Sequence, residues 1–326
     1  MKPSEVLTWR SQAQRRRIAA GLKKTEEALR GVVATYPGDL GAAAASTLSA
    51  GGKRLRPLLV LLAARNTADL GSVVDAAAAV ELLHMATLVH DDVLDAAELR
   101  RGRPTIVAGY GAPTAVATGD FLLAASFAQL ARTGDARAVD LLAEAAVGLS
   151  EGERLQADDA FRVTLTVDEY LRRSRLKTAD LFAACGRLGA LLTGLDETTA
   201  EALGAFGVAL GLAFQIFDDV LDLTGDEQAM GKRRGTDLRD GTVTLPIVMA
   251  LEARPGIGPR LEACATDDAA VDAVIADVAG CGAIERAREM ALAFIGDARA
   301  RLEESSGGFE RELLTELAGS VVDRYS

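Results

Sequence analysis

Residues 81–95 read ELLHMATLVHDDVLD, and this stretch decides the fold. Leu82, Ala86, Val89 and Val93 follow one another at steps of four, three and four, which is the spacing of a single buried stripe on an α-helix. Three aspartates end the segment. The spacing therefore predicts a helix that buries one face in a core and carries an acidic cluster at its end.

The acidic cluster is self-repelling and occurs twice. At ~100° per residue Asp91 and Asp95 lie about 40° apart around the helix, and Asp92 flanks them. Like charges one turn apart destabilise a helix by a few tenths of a kcal/mol. A single cluster of this kind is as consistent with a solvated acidic face, but DDVLD recurs at residues 218–222, again after an apolar run. Two such helices facing each other would need cations between them.

Oxygen ligands without histidine or thiolate support favour Mg²⁺ or Mn²⁺. The chain has two histidines, His84 and His90, which are six residues apart and so lie on different helix faces. No zinc site is expected. The candidate metal ligands are Asp91, Asp92, Asp95, Asp218, Asp219 and Asp222.

Composition agrees with an all-α protein. The 326 residues are 49% hydrophobic but only 4% aromatic, and apolar residues recur at helical spacing, so we expect one helical domain over residues 1–326. The apolar segment 202–217 is short for a membrane span and contains Gln215, so it predicts a buried helix, and its glycines predict close packing. No stable membrane anchor is expected.

Charge and cysteine content exclude other classes. A net charge of −11 argues against nucleic acid as a partner. Three cysteines without a Cys-x-x-Cys pair fit neither a disulfide framework nor a thiolate metal site, and the N-terminus lacks the apolar segment of a secretory signal. A reducing, cytoplasmic location is expected.

Basic clusters accompany the acidic ones. Each alone is typical of a solvated loop, but acid, base and apolar segments alternate in a way that suits a metal-bound diphosphate with an apolar tail. The basic residues are Lys53, Arg54 and Arg56 in GGKRLRP, Arg100, Arg101 and Arg103 in ELRRGRPT, Lys177 in RLKTADLF, and Lys232, Arg233 and Arg234 in MGKRRGTD.

In this order, GGKRLRP, LVHDDVLDAAELRRGRPT, GDFLL, KTADLF and FQIFDDVLDLTGDEQAMGK span most of the chain and resemble the trans-isoprenyl diphosphate synthase family. The resemblance implies an all-α bundle around a deep central cavity, the isoprenoid synthase fold. It also implies a homodimer and Mg²⁺-dependent head-to-tail condensation of isopentenyl diphosphate with an allylic diphosphate. Allylic ionisation, attack by the double bond and proton loss are the implied steps.

The resemblance also implies roles for matching positions. The aspartates would bind the metal ions that bridge the allylic diphosphate, and Lys177, Lys232 and Arg100 would take up charge on the leaving diphosphate. Positions that match binding of isopentenyl diphosphate are Lys53, Arg56, His84 and Arg101. Positions near the reacting ends are Thr178, Phe214 and Gln215.

One position departs from the family. Many relatives carry a second lysine after Lys232, in a Gly-Lys-x-Thr context, where this chain reads DGTVTLP with Thr242. One phosphate contact is therefore in doubt. Arg233, Arg234 and Arg239 are the candidates to compensate.

Product length is predicted from residues upstream of Asp91. In the family, bulky aromatics four and five positions before the first aspartate form a floor that ends elongation, but here Thr87 and Ala86 are small. Five residues of helix cover about 7.5 Å, room for at least one more isoprene unit. We expect a long product of about thirty carbons or more. The alternative is that both residues pack against another helix and Leu82 or Leu83 closes the tunnel.

Other functions remain open. A short-chain farnesyl or geranylgeranyl diphosphate synthase is the first alternative. A class I terpene cyclase shares the ionisation chemistry, but the second intact acidic motif and the extra basic clusters argue against it. A non-catalytic subunit would be expected to lose acidic motifs, whereas the catalytic subunit of a heteromeric synthase would keep them.

Overall fold

A computed structural model of the chain describes residues 7–67, 69–100, 102–225 and 233–323. The first half contains α1 (Gln12–Ala34), α2 (Asp39–Ser49), α3 (Leu55–Ala63), α4 (Gly71–Leu94), α5 (Ile106–Tyr110), α6 (Ala112–Ala131) and α7 (Ala136–Asp158). The second half contains α8 (Val167–Ser174), a π-helical turn (Arg175–Ala179), α9 (Asp180–Leu191), α10 (Glu197–Thr224), α11 (Thr236–Arg239), α12 (Leu245–Ala253), α13 (Asp268–Gly280), α14 (Ala283–Glu303) and α15 (Arg311–Asp323). The all-α prediction is confirmed.

Strands are confined to one small hairpin in the described part of the chain. β1 (Leu99–Arg100) pairs antiparallel with β2 (Arg103–Pro104), so that Arg100 lies opposite Arg103. The hairpin follows α4 directly. It therefore holds Arg100 close to the acidic end of that helix.

Two apolar clusters stabilise the bundle. The larger is built around α3, α9, α10, α12 and α14, and the smaller lies where α1, α2, α5 and α6 cover α4. Both acidic motifs occupy the last turns of long core helices, α4 and α10. These helices are rigid platforms for the carboxylates because their apolar faces are buried along most of their length.

Three described helices are long and apolar enough to span a membrane, judged by length and composition alone: α4, α6 and α10. In α4 and α10, 72% of the most apolar window is buried inside the bundle, against 39% in α6. The predicted buried helix at residues 202–217 is confirmed as part of α10. Helix α6 is less buried, and its exposed residues are mostly small and apolar.

Glycines let α10 approach α9 closely, as predicted. A Cβ placed on Gly207 would lie 2.4 Å from the carbonyl oxygen of Phe182, and one on Gly211 would lie 2.6 Å from Cα of Ala179. Such distances are too short for carbon, and the obstructing atoms belong to the backbone. Any side chain here would force the two central helices apart.

We expect Gly207→Ala to lower the free energy of unfolding by about 1–3 kcal/mol, because the methyl group overpacks the α9–α10 contact. Gly31→Ala is the matched control: it is exposed on α1 with open space around the added Cβ, so it should raise stability by about 0.4–1 kcal/mol. Urea denaturation of both variants measures the difference. Equal stabilities would contradict the close-packing interpretation.

Candidate active site

The first acidic motif forms the C-terminal end of α4. The amide of Asp95 donates to the Asp91 carbonyl at 2.8 Å, and the amide of Ala97 donates to the Asp92 carbonyl at 3.0 Å. The Asp92 side chain is buried and accepts a hydrogen bond from Arg100 Nε at 2.7 Å. Asp92 thus holds Arg100, while Asp91 and Asp95 are more accessible.

The electrostatics of this motif favour a cation. Burial raises the pKa of Asp91 to about 7; the charge of Lys177 opposes this, and Glu153 adds to it. The pKa of Asp95 is raised by burial too, with Lys177 and Glu153 again acting in opposite senses. Burial is the largest cause of both shifts, and Lys177 and Arg100 oppose it only in part.

Lys177 is the cation that acts most strongly on Asp91 and Asp95, and an irregular turn places it there. It lies in the π-helical turn between α8 and α9, and its Nζ is 2.5 Å from Glu153 Oε2 on α7. Gly152 allows this approach, because a Cβ there would lie 2.6 Å from the Lys177 amide nitrogen. Single π turns inside α-helices are frequent at functional sites.

The second motif is part of a hydrogen-bonded chain. Asp219 is buried, with Oδ2 accepting from the Tyr170 hydroxyl at 2.6 Å and Oδ1 accepting from Gln215 Nε2 at 2.8 Å. The Thr178 hydroxyl donates to Gln215 Oε1 at 2.8 Å. Burial raises the pKa of Asp219 to about 6, opposed by the bonds from Tyr170 and Gln215 and by the charge of Arg173.

The other two aspartates of this motif differ in setting. Asp222 is fully buried and its carboxylate accepts from the Asp237 amide at 3.2 Å, while its carbonyl accepts from the Gly235 amide at 2.8 Å. Asp218 is half-buried. Asp222 therefore anchors the start of α11, and Asp218 is the more open carboxylate.

The basic residues of the segment GGKRLRP lie in three different environments. Arg54 pairs with Glu26 at 2.5 Å and with the buried Glu81 at 2.6 Å, so it stabilises the fold. Arg56 lies over the Phe182 ring at 4.7 Å, and its Nε is buried with no acceptor in the described part of the chain. Lys53 is exposed.

The remaining predicted contacts spread along two helices. Phe214 packs beside Phe182 with ring centroids 5.8 Å apart. His84 is half-buried on α4, seven residues before Asp91 and so on the same side of the helix. The predictions for Arg101 and Lys232 lie outside the described residues.

The arginines offered as substitutes for a lysine at position 242 point elsewhere. Arg233 and Arg239 both pair with Asp268, at 2.9 Å in each case, and Arg234 pairs with Asp272 at 3.2 Å. Both aspartates belong to α13. These three arginines therefore tie α11 and its preceding loop to α13.

The chain-length residues occupy different environments. Thr87 is half-buried on the Asp91 side of α4, and its hydroxyl donates to the His84 carbonyl at 2.9 Å. Ala86 is 1% exposed and belongs to the smaller apolar cluster, whereas Leu83, also 1% exposed, belongs to the larger one. Of the three residues, Thr87 is therefore the one that lies on the same side of α4 as Asp91 without being buried in an apolar cluster.

Three residues of this region were not predicted from sequence: Glu153, Tyr170 and Arg173. In the sequence Glu153 resembles any exposed glutamate of a charged helix, and Tyr170 is 49 residues from the aspartate it binds. No local pattern marks either one. Arg173 is buried, but in the sequence it stands in the run Arg172, Arg173, Ser174, Arg175, which is typical of a solvated helix face.

A hard divalent cation fits the donors present. Asp91, Asp95 and Glu153 offer only oxygen, and burial raises the pKa of Asp91 and Asp95, a cost that a bound cation would offset. Among the residues described, however, no three acidic, histidine or cysteine side chains already converge on one point. The carboxylates would have to gather around the cation and a substrate phosphate.

The more spacious of two cavities in the described part of the chain is not the one beside the acidic motifs. A groove of about 510 Å³ lies among α7, α9, α10 and α14, and it shares no residue with either acidic motif. A much smaller cavity is lined by Lys177, Gln215, Asp219, Thr242 and Arg173. The side-chain chemistry, and not the volume, singles out the second of these.

Comparison with known proteins identifies the family. The family model described as polyprenyl synthetase matches residues 39–279. The chain is 43% identical over 308 residues to heptaprenyl diphosphate synthase component 2 of Geobacillus stearothermophilus, covering 92% of this chain and 95% of that one. It is 34% identical over 299 residues to geranylgeranyl diphosphate synthase of Methanosarcina mazei, covering 89% and 91%.

Solved structures agree. The crystal structure of heptaprenyl diphosphate synthase from Staphylococcus aureus superposes with a TM-score of 0.89 at 33% identity, covering 95% of this chain and 99% of that one. The isoprenoid synthase fold predicted from the sequence is confirmed. With both acidic motifs and the KTA segment in one region, the chain belongs to the polyprenyl synthetase family and is a prenyl diphosphate synthase, an enzyme of the prenyltransferase class.

Proposed function

We propose that the chain condenses isopentenyl diphosphate with an allylic diphosphate, in a Mg²⁺-dependent reaction, to a long-chain polyprenyl diphosphate. One observation carries the chemistry: Lys177 lies beside both acidic motifs. Its charge acts on Asp91 and Asp95, and it lines a small cavity together with Asp219. A diphosphate bound there would meet carboxylate-held cations and a lysine at once.

The residues divide the work as follows. Asp91, Asp95 and Asp218 would hold Mg²⁺, which when bound would make the allylic diphosphate a better leaving group. Lys177 and Arg100 would stabilise the charge that grows on the departing oxygen, which is the largest usual contribution to catalysis.

The reacting carbons need a different environment. The oxygens of Thr178 and Gln215 are already oriented by their mutual hydrogen bond and by Asp219, so they would face the developing allylic cation without reorganising. Phe182 and Phe214 would keep water away from it. The buried Nε of Arg56 needs an acceptor, which a phosphate oxygen of isopentenyl diphosphate would supply.

The direct test is to incubate the purified chain with Mg²⁺, isopentenyl diphosphate and, separately, the ten-, fifteen- and twenty-carbon allylic diphosphates, and to size the products by mass. Products of about thirty carbons or more support the whole proposal. Products that stop at fifteen or twenty carbons support the condensation chemistry but mean that the residue that ends elongation lies closer to Asp91 than proposed. No condensation points to a missing subunit or to a cyclase.

Support for a long product is twofold. Thr87, on the Asp91 side of α4, is small, and no bulky aromatic stands in its place. Two relatives are named as heptaprenyl synthases, although another is named as a geranylgeranyl synthase, so the short-chain alternative stays in the test.

We expect Thr87→Phe to shorten the product distribution, because the ring would stand one turn below Asp91 on the same side of the helix. Ala86→Phe, which the sequence predicts to act likewise, must displace side chains of the smaller apolar cluster and should cost about 1–3 kcal/mol of stability. Ala300→Phe on the exposed side of α14 is the control. Mass analysis of products decides, and an unchanged distribution for Thr87→Phe and Ala86→Phe contradicts the open floor.

We also propose a homodimer formed through α6. Val116 is 42% exposed, and Ala117, Ala124 and Ala128 are exposed on the same helix. Small side chains let helices approach closely, and a second copy would cover this apolar face. A cytoplasmic location is part of the same proposal.

A heteromer is the second candidate, since the relative at 43% identity is named as a component of a heptaprenyl synthase. In that case this chain, with both acidic motifs, would be the catalytic subunit. Size-exclusion chromatography combined with turnover of the chain alone separates the two. An active dimer supports the homodimer, and an inactive chain that folds supports the heteromer.

A further inference from the structure

Position 242 is where this chain departs from its family resemblance. Thr242 has no charge, yet it lines the same small cavity as Lys177 and Asp219. The three arginines closest in sequence pair with α13 instead. The described part of this cavity wall nevertheless contains a second cation besides Lys177, and it comes from α8.

That cation is Arg173. Its side chain is only 4% exposed, and it lines the cavity beside Thr242. Nη2 donates to the Val243 carbonyl at 2.6 Å, so the guanidinium is attached to the residue that follows Thr242. The Cζ atom of Arg173 lies 5.6 Å from the Tyr170 ring centroid. The side chain is therefore fixed, and no rearrangement is needed to place its charge.

A neighbouring carboxylate stabilises the buried guanidinium of Arg173 but neutralises its charge only in part. Arg173 Nη1 is 3.3 Å from Asp159 Oδ2, but Asp159 also binds Arg162 at 2.8 Å, so its charge is shared between two cations. Arg173 and Asp219 line the same cavity, and Tyr170, whose ring lies beside the Arg173 guanidinium, donates its hydroxyl to Asp219 Oδ2 at 2.6 Å. Arg173 is thus an electrostatic neighbour of the second acidic motif.

We infer that Arg173 supplies to this cavity the positive charge that Thr242 does not, and so strengthens binding of the metal-bound diphosphate. The inference rests on the proposed function for the nature of the ligand. It assigns Arg173 as a positioning residue: it acts through its field and by holding the backbone at Val243, while Lys177 meets the leaving diphosphate.

The test exchanges one cation for the other. Removing Arg173 alone would leave Asp159 buried with less positive charge, so the test protein is Arg173→Met with Asp159→Asn, compared with and without Thr242→Lys. Arg172→Met is the control, because Arg172 is 66% exposed and pairs with Glu151 on the surface. Calorimetry with Mg²⁺ and inorganic pyrophosphate measures binding without turnover, and the thermal midpoint is recorded for each variant.

We expect the Arg173→Met, Asp159→Asn protein to bind Mg²⁺-pyrophosphate about ten- to hundredfold more weakly, the range for losing an interaction with a charged group. Thr242→Lys should restore most of that affinity at an unchanged thermal midpoint, and Arg172→Met should bind like the parent. Failure of Thr242→Lys to restore binding, or unchanged binding after Arg173 is removed, overturns the inference. A parent that binds Mg²⁺-pyrophosphate but condenses nothing argues against condensation by this chain alone and leaves the assignment of Arg173 standing.

Discussion

Asp91→Asn is expected to lower kcat/KM for condensation by about 10²–10³, because a metal-held leaving group is worth several kcal/mol. Among the aspartates of the first motif, Asp91 carries the carboxylate that burial perturbs most visibly, with a pKa of about 7, and Asp92 is already engaged by Arg100. The measurement is the initial rate as a function of Mg²⁺ and allylic diphosphate concentration.

Stability separates loss of chemistry from loss of fold. A buried acid whose pKa is raised binds a proton more tightly in the folded than in the unfolded protein, so stability falls as pH rises from about 4 to about 7. In the metal-free protein Asp91→Asn removes that loss, and its thermal midpoint at pH 8 should match or exceed the parent's. Asp158→Asn, in a surface pair with Arg154, is the control for activity. An active Asp91→Asn enzyme would remove Asp91 from the metal site.

The sequence predicted the helices that carry the acidic motifs, but it did not predict the side-chain contacts that the motifs make. Helical spacing is a local property, so the helix ending at Asp91 and the buried helix before Asp218 followed directly from it. The same spacing treated the aspartates of each motif as equivalent. The structure distinguishes them, because Asp92 and Asp219 are paired with hydrogen-bond donors and Asp222 anchors α11.

Contacts between distant segments could not be predicted from spacing. Arg54 has the same sequence context as Arg56, but it pairs with the buried Glu81, 27 residues away. Glu153 reaches Lys177 only because Gly152 lets α7 approach the π turn. Arg173 and Thr242 are 69 positions apart in the sequence, and only folding brings them to the same cavity wall. In each case tertiary packing decides which partner a charged residue meets.

The pairing of Lys177 with Glu153 leads to the second large effect. We expect Lys177→Met to lower kcat by about 10²–10³, the usual consequence of removing one group that stabilises charge developing in the transition state. Binding of the allylic diphosphate should weaken less than kcat falls, because the lysine's interaction strengthens as the carbon–oxygen bond breaks. Single-turnover rates and the KM for the allylic substrate measure the two separately.

A structural explanation for the same loss is testable. Lys177→Met leaves the half-buried Glu153 without its cation and adds to the repulsion felt by Asp91 and Asp95, so part of any defect could be electrostatic strain in the site. The double variant Lys177→Met, Glu153→Gln removes that strain but cannot replace the lysine, and its rate should stay low while its thermal midpoint returns to the parent value. Lys23→Met, which breaks an exposed pair on α1, should change neither rate nor midpoint. Recovery of rate in the double variant would mean that Lys177 only neutralises Glu153, and the leaving-group role would pass to Arg100.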